Sequence, residues 1–151
     1  MKTKFPKGVI HYPNHLSCPA YSCKDAVKLR GILEDEELKT LIFSSKKGNF
    51  VFHLLGNRRI NLHIFTKETG HLKLMNSGKL KELGFNKGNI NPFNFIESEL
   101  TINIVFICTS IFKKEYLYTN DGTNYGTIKF PPNVLEKIYP NYIVRNVSSK
   151  G

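Results

Sequence analysis

The segment GFNKGNINPFNF, residues 84–95, combines residue types that could place several backbone amides against a reacting group. Gly88 and Pro92 exclude a continuing helix or a central strand, because glycine costs conformational entropy and proline lacks an amide hydrogen. The segment is therefore predicted to be a loop with apolar anchors at both ends. If the amides of residues 88–91 are held there unpaired, they could stabilise a tetrahedral oxyanion. An ordinary connecting loop is the alternative.

A lysine begins an apolar stripe in the segment ELKTLIF. With the period of two of a β-strand, Lys39, Leu41 and Phe43 share one face. A lysine at such a position either extends its ammonium group into solvent or holds it at the mouth of a cavity as a fixed positive charge. The second outcome would make Lys39 a functional residue, and the sequence leaves both open.

Four potential metal ligands occur within a short N-terminal segment. They are His11, His15, Cys18 and Cys23. Their spacing lacks a C-x-x-C knuckle and is interrupted by prolines, so zinc binding is a minor alternative to a loop that leads into the first helix. The phosphate-loop and dinucleotide-binding motifs are absent, which argues against nucleotide hydrolysis.

No pairing of a nucleophile with a base stands out in the sequence. All five histidines lie between residues 11 and 71, and Ser17 or Cys18 beside His15 lacks a nucleophile-elbow sequence. His53 lies in the apolar segment FVFHLLG, and we predict a half-buried histidine whose hydrogen bonds are satisfied. Covalent catalysis is therefore not indicated.

Length and charge restrict the class of protein. A chain of 151 residues fits one domain, and no apolar run approaches the roughly 20 residues that span a bilayer. The N-terminus has no apolar core of a signal peptide, and three cysteines make no disulfide framework, so a cytoplasmic protein with reduced thiols is expected. The net charge is +10, and residues 1–91 carry 16 basic and 7 acidic side chains. This asymmetry favours a nucleic acid partner over merely solvated surface lysines.

Capping and turn residues indicate the elements that position these candidates. The segment YSCKDAVKLRG predicts a helix capped by Ser22 and ended by Gly31, and SGKLKELG predicts one capped by Ser77. Two β-rich runs around residues 46–48 predict a hairpin, and a second pair is expected around an Asn-Asp-Gly turn. Further strands and short helices give a mixed α+β domain with a largely antiparallel, curved sheet.

Taken in order, these segments resemble the YbaK/prolyl-tRNA-synthetase-associated domain family, whose members are aminoacyl-tRNA editing domains. The similarity runs from about His15 to Leu135. SCPAYSCKDAVKLRG resembles the first helix of the family, ELKTLIF its K-T-L strand, and FVFHLLGNRRINLHIF its strand, turn and following helix. ELGFNKGNINPF resembles its L-G-x-x-x-G-x-x-x-P-F loop, and YTNDGTNYGTIKF the Asn-x-Gly strand that closes the site. Each motif is weak alone, and their order and spacing are specific together.

The resemblance implies a single domain over residues 1–151 with the α+β fold of this family: a mixed, mostly antiparallel, barrel-like sheet with flanking helices. It implies an aminoacyl-tRNA deacylase that needs no metal and no cofactor and hydrolyses the ester of a mischarged tRNA. A proline tRNA that carries a wrong, smaller amino acid is the expected substrate. The enzyme would contribute to translation fidelity in trans or as the editing domain of a synthetase.

The resemblance also implies the residues of the site. Lys39, Gly88 and Pro92 are expected to be catalytic. Substrate-binding positions are expected at Tyr21, Thr40, Asn89, Ile90, Asn91, Asn120, Gly122 and Asn124. The acceptor end of tRNA is the expected partner, and a synthetase is a further candidate. The phosphates of the tRNA would contact basic residues such as Arg58, Arg59, Lys79, Lys81 and Lys87.

Three departures from the family pattern leave the amino acid specificity open. Asn94 replaces the glycine after Pro-Phe, Asn57 replaces the aspartate of the turn, and the closing strand has no histidine. A non-catalytic module that binds tRNA or a synthetase is the second hypothesis. A zinc-dependent nucleic-acid-binding protein is the third.

Overall fold

The computed structural model of the protein describes residues 5–56 and 58–150. The strands in this part of the chain are β1 (Ile10–Tyr12), β2 (Leu38–Ser45), β3 (Gly48–Leu55), β4 (Arg58–Ile60), β5 (Lys73–Leu74), β6 (Ile104–Cys108), β7 (Leu117–Thr119), β8 (Thr127–Phe130), β9 (Ile143–Arg145) and β10 (Ser148–Lys150). The α-helices are α1 (Cys23–Arg30), α2 (Thr66–Thr69), α3 (Ser77–Glu82) and α4 (Val134–Ile138). Short 3-10 helices cover Glu34–Glu36, Leu62–Phe65, Pro92–Phe95 and Thr109–Lys113.

The described strands divide into three sheets. The largest has the order β5-β2-β3-β6-β9, the second has the order β1-β8-β7, and β10 pairs with β4. Five of these seven strand pairs are antiparallel, whereas β3-β6 and β6-β9 are parallel. The predicted mixed, mainly antiparallel α+β architecture is confirmed.

The predicted barrel-like closure is not observed among the described strands. β2 has β5 and β3 as its ladder partners. The nearby β7 contacts the start of β2 through an isolated bridge between Glu37 and Tyr118 and through a hydrogen bond from Thr119 Oγ1 to Leu38 O at 3.3 Å, without a ladder. A barrel would need a continuous ladder at this junction.

The hairpin of β2 and β3 forms as predicted and fixes the register of the candidate site. Leu38 lies opposite Leu55, and Ser45 lies opposite Gly48 at the turn. Gly48 has φ 132°, a conformation that favours glycine. The same register places Thr40 opposite His53, so these two side chains share one face of the sheet.

Helix α1 has the capping residues that the sequence predicts. The Ser22 hydroxyl accepts a hydrogen bond from the Asp25 amide at 3.1 Å, and Gly31 ends the helix with φ 69°. For α3 the predicted cap is wrong by one residue, because Asn76 precedes the helix in an extended conformation and accepts from the Lys79 amide at 2.8 Å. Ser77 is the first residue of that helix.

The core lies on the face of the largest sheet and is rich in phenylalanine. The Phe52 ring stacks on the Phe106 ring at 4.8 Å, and Phe65 packs against both. All three side chains are fully buried. Apolar packing against these rings therefore fixes β3 and β6. Since β2 pairs with β3, it has a rigid support.

Two segments differ from their predictions. β1 occupies part of the N-terminal histidine and cysteine segment that was expected to be a loop, because it pairs with β8. The expected Asn-Asp-Gly turn is a longer loop, residues 120–126, between β7 and β8. Asn57, where a departure from the family was noted, lies outside the described residues. Among the helices described, none has the length and apolar character to cross a bilayer.

Candidate active site between strand β2 and two loops

A cavity of about 290 Å³ opens beside β2 and is bounded by the start of α1, by α3 and by the loops 84–91 and 120–126. Eight predicted site residues line it: Tyr21, Lys39, Thr40, Gly88, Asn89, Ile90, Asn120 and Asn124. These residues come from four separate segments of the sequence, and the fold brings them to one place. Most of the remaining lining is apolar and includes Ala26, Ile42 and Leu80.

Three predicted site residues do not line the cavity. Asn91 is 2% exposed, and its side-chain oxygen accepts from the amides of Phe93 and Asn94 at 2.9 and 3.2 Å. Pro92 is buried as the first residue of the 3-10 helix that follows. Gly122 has φ 95° within the loop 120–126. Asn91 and Pro92 therefore end the loop and hold it in place.

Lys39 brings a positive charge into the cavity wall. Its Nζ donates a hydrogen bond to the carbonyl oxygen of Arg58 at 2.7 Å. Burial lowers the pKa of the ammonium group below its usual range, and the nearby Arg59 lowers it further. Since one hydrogen bond uses one of the three N–H donors, the group keeps donors for a second partner.

The amides of the loop 84–91 are only partly unpaired, contrary to the expectation. Asn89 N donates to Asn86 O at 2.9 Å, and Asn91 N donates to the Asn94 side chain at 2.8 Å. The amides of Gly88 and Ile90 donate to no group in the described part of the chain. Gly88 has φ 81°, which an L side chain rarely adopts, so glycine is required at the turn. Two donors, rather than four, remain for a ligand.

Asparagine side chains join the loop 84–91 to the loop 120–126. Asn86 donates to Gly122 O at 2.9 Å, and Asn89 donates to the Asn124 side chain at 2.7 Å. Asn120 donates to Ile90 O at 3.0 Å. These hydrogen bonds hold the loop amides in a fixed direction. Because the loops are already ordered, they lose less conformational entropy when a ligand binds.

Arg30 and Glu37 form a buried ion pair in the cavity wall that the sequence analysis did not find. The guanidinium donates to Glu37 Oε1, to the Thr127 hydroxyl at 2.8 Å and to Gly126 O at 3.1 Å. Burial raises the pKa of Glu37 to about 7, although Arg30 pulls it downwards. Glu37 belongs to the acidic run 34–37, and nothing in that run distinguishes it from its neighbours.

Cys23 also lines the cavity, but its environment keeps the thiol protonated. Burial, with the Glu37 carboxylate as a second contribution, raises the pKa of Cys23 to about 11. A neutral thiol is a poor nucleophile. His11 and His15 bond to Asp121 and Thr127, and no group of three potential metal ligands occurs among the described residues. The geometry therefore gives the zinc alternative no support.

His53 is more deeply buried than predicted, although its hydrogen bonds are satisfied. It is 0% exposed, and its Nδ1 and Nε2 lie 3.0 and 2.5 Å from Thr40 Oγ1 and Tyr139 Oη. Burial lowers the pKa of the imidazole from 6.5 to about 3. The ring is therefore neutral at physiological pH.

This burial predicts a loss of stability in acid. The unfolded chain binds a proton at His53 near pH 6.5 and the folded chain only near 3, so the free energy of unfolding falls as pH decreases through that window. Between pH 6.5 and 5, urea titrations of the wild type should show a loss about 2 kcal/mol greater than those of His53→Gln. Equal losses in the two proteins would show that His53 titrates normally in the fold.

A second, more open groove of about 650 Å³ continues from the cavity. The two share Ser77, Lys87, Asn89, Thr123 and Asn124 in their linings. The groove adds Lys81 and the 42% exposed Tyr125, and the described residues that line it include no carboxylate. Its electrostatic character suits a phosphate-bearing chain that leads into the cavity.

Comparison with known proteins identifies the family. The model of the aminoacyl-tRNA editing domain matches residues 18–138. The chain therefore belongs to the aminoacyl-tRNA editing domain family, and the resemblance inferred from the sequence is confirmed. No curated protein matches the sequence significantly.

Solved structures share the fold at low sequence identity. The hypothetical protein APE2540 matches with a TM-score of 0.77 at 21% identity, over 93% of this chain and 91% of that one. A protein proposed to be a trans-editing enzyme for prolyl tRNA synthetase matches with a TM-score of 0.74 at 18% identity, over 93% of this chain and 85% of that one. A proposed signal transduction protein from Marinobacter aquaeolei VT8 matches with 0.63 at 13% identity, over 94% of this chain and 28% of that one. At these identities the likeness concerns the fold alone.

Proposed function

We propose that the protein is an aminoacyl-tRNA deacylase that hydrolyses the ester of a mischarged tRNA without a metal ion. The observation that carries the proposal is the convergence of the Lys39 ammonium group with the Gly88 turn and Ile90 on a single cavity. These groups are the donors that the negative charge of an acyl transition state needs. Membership of the editing domain family supports the same class of reaction.

In the proposed reaction, water attacks the carbonyl carbon of the aminoacyl ester. The carbonyl oxygen gains negative charge, and the unpaired amides of Gly88 and Ile90, with the Lys39 ammonium group, donate to it. The bond between the acyl carbon and the ribose oxygen then breaks, and the ribose oxygen takes a proton. By resemblance, the neighbouring ribose hydroxyl of the substrate positions the water, and no protein base is assigned.

The open groove supports tRNA as the substrate. Lys81 and Lys87 would contact the phosphates of the single-stranded acceptor end, and Tyr125 offers a ring on which a base could stack. The cavity beyond it, with Ala26, Ile42 and Leu80, would enclose an apolar amino acid side chain. The proposed substrate is a proline tRNA carrying a smaller amino acid. A cytoplasmic location, where tRNAs are charged and used, is part of this proposal.

Release of labelled amino acid from a panel of mischarged tRNAs tests the function. We expect at least one charged tRNA, with alanyl proline tRNA first on the panel, to be cleared faster than in buffer. Correctly charged prolyl tRNA is the matched control and should be spared. If no charged tRNA is cleared while uncharged tRNA still binds, the protein is a non-catalytic binding module of the same family instead.

A further inference from the structure

Thr40, His53 and Tyr139 form a chain of hydrogen bonds that leads from the interior to the candidate active site. Tyr139 follows α4 and is 5% exposed, His53 lies on β3 and is 0% exposed, and Thr40 on β2 lines the cavity. Thr40 Oγ1 lies 3.0 Å from His53 Nδ1, and His53 Nε2 lies 2.5 Å from Tyr139 Oη. The chain thus connects a buried phenol to a group at the cavity wall.

The direction of the hydrogen bonds follows from counting donors and acceptors. Burial raises the pKa of Tyr139 well above its ordinary value, so the phenol carries its hydrogen, and burial keeps the His53 ring neutral. A neutral imidazole has one N–H donor and one acceptor nitrogen. Two arrangements are therefore conceivable, with the ring hydrogen on Nδ1 or on Nε2.

Each arrangement leaves one hydroxyl hydrogen without an acceptor among the described residues, and the two differ in where that hydrogen lies. If Nε2 carried the hydrogen, it would donate to Tyr139, and the phenolic hydrogen would have no acceptor among the described residues. An unsatisfied buried donor costs free energy that a satisfied arrangement avoids. With the hydrogen on Nδ1, Tyr139 donates to Nε2, and Nδ1 donates to Thr40 Oγ1. The oxygen of Thr40 is then an acceptor, and its own hydrogen is the one left over. Thr40 lines the cavity, where water or a ligand can accept that hydrogen, whereas Tyr139 lines neither the cavity nor the groove. The arrangement with the hydrogen on Nδ1 is therefore favoured.

We infer that Tyr139 and His53 are positioning residues: they orient the Thr40 hydroxyl so that it donates a hydrogen bond to a group in the cavity. The position of Thr40 in the lining, together with the fixed direction of the chain behind it, carries this inference. Its catalytic consequence depends on the proposed function: the Thr40 hydroxyl would donate to the acyl or ribose oxygen of the bound ester as negative charge develops there. A threonine whose hydroxyl pointed back to His53 as a donor could not do this.

The tautomer of His53 tests the inference without any assay of activity. The ¹⁵N shifts of the ring in the full-length wild-type protein should show a protonated Nδ1 and an unprotonated Nε2 at neutral pH. A protonated Nε2 would overturn the inference, because Thr40 would then donate to His53 and not to the cavity. Since this measurement uses the unmodified protein, a folding defect cannot obscure it.

Two variants of Thr40 test the catalytic consequence. Thr40→Ser keeps the hydroxyl and should retain deacylation within a few fold, whereas the nearly isosteric Thr40→Val should lower kcat on the order of 100-fold with little change in KM. Equal activity of the two variants would refute the role of Thr40 as a donor to the substrate. If the tautomer is as inferred and the wild type cleaves no charged tRNA, the proposed function fails while the buried chain stands.

Discussion

Replacing Lys39 with alanine should lower the rate of deacylation on the order of 100-fold to 1000-fold, because the cavity loses its fixed positive charge. The ammonium group lies in the cavity wall, where burial already lowers its pKa and restricts competing solvation. Charge that develops on the reacting oxygen would then keep the backbone amides as donors but lack its cationic partner in a site of low polarity. Single-turnover release of labelled amino acid from a mischarged tRNA measures the effect directly.

A second lysine provides the matched control for this prediction. Lys47 also donates its Nζ to a backbone carbonyl, that of Lys67, at 2.9 Å, but it lines neither the cavity nor the groove. Lys47→Ala removes the same kind of hydrogen bond and the same charge, and it should leave the rate within about twofold of the wild type. If Lys39→Ala deacylates as fast as Lys47→Ala, the catalytic assignment of Lys39 is wrong even where the protein proves to be a deacylase.

Replacing Arg30 with methionine should destabilise the protein by about 3–5 kcal/mol at pH 8, because the change leaves the Glu37 carboxylate buried without its cation. The side chains of the pair are only 2% and 6% exposed, so water cannot replace the lost partner. The change also removes donors to Thr127 and Gly126. Urea unfolding, followed by circular dichroism, measures the loss.

The same variant should show a characteristic pH dependence. Glu37 has its pKa raised by burial from 4.5 to about 7, and loss of Arg30 takes away the influence that opposes this rise. A carboxyl group with a raised pKa in the fold costs stability as pH increases above its unfolded value. The defect of Arg30→Met should therefore be smaller at pH 5, where Glu37 is protonated, than at pH 8.

Two further variants control for effects of charge and volume. Lys79→Met breaks an exposed pair with Glu82, whose side chains are 55% and 73% exposed, and it should cost less than about 1 kcal/mol at either pH. Glu37→Gln in the Arg30→Met background removes the unpaired charge and should recover part of the loss at pH 8. A defect of Arg30→Met that is the same at both pH values would contradict the buried-charge explanation.

The loop residues illustrate how far sequence reasoning could go. Gly88 and Pro92 identified a loop, and the structure confirms that conformation, since Gly88 has positive φ and Pro92 begins a 3-10 helix. The number of available amides could not be predicted, because Asn86 O and the Asn94 side chain accept two of the four. Those bonds depend on the folded path of the loop, which the residue types do not specify.

Local rules account for what the sequence determined by itself. The cap of α1 at Ser22, its end at Gly31 and the hairpin of β2 and β3 depend on residues a few positions apart, so capping and turn preferences identify them. The order of short motifs along the chain likewise indicated the editing domain family. Lys39 was identified as a candidate because it lies in one of these motifs and begins an apolar stripe with the period of two of a β-strand.

The tertiary structure decided which side chains meet at the site. Arg30 reaches Thr127 across 97 positions of the sequence, and His53 reaches Tyr139 across 86. Such contacts depend on how the two sheets pack and on the strand register, and neither is encoded by residues that are neighbours in the chain. The buried ion pair, the neutral histidine behind Thr40 and the pairing of two loop amides therefore became evident only once the chain was folded.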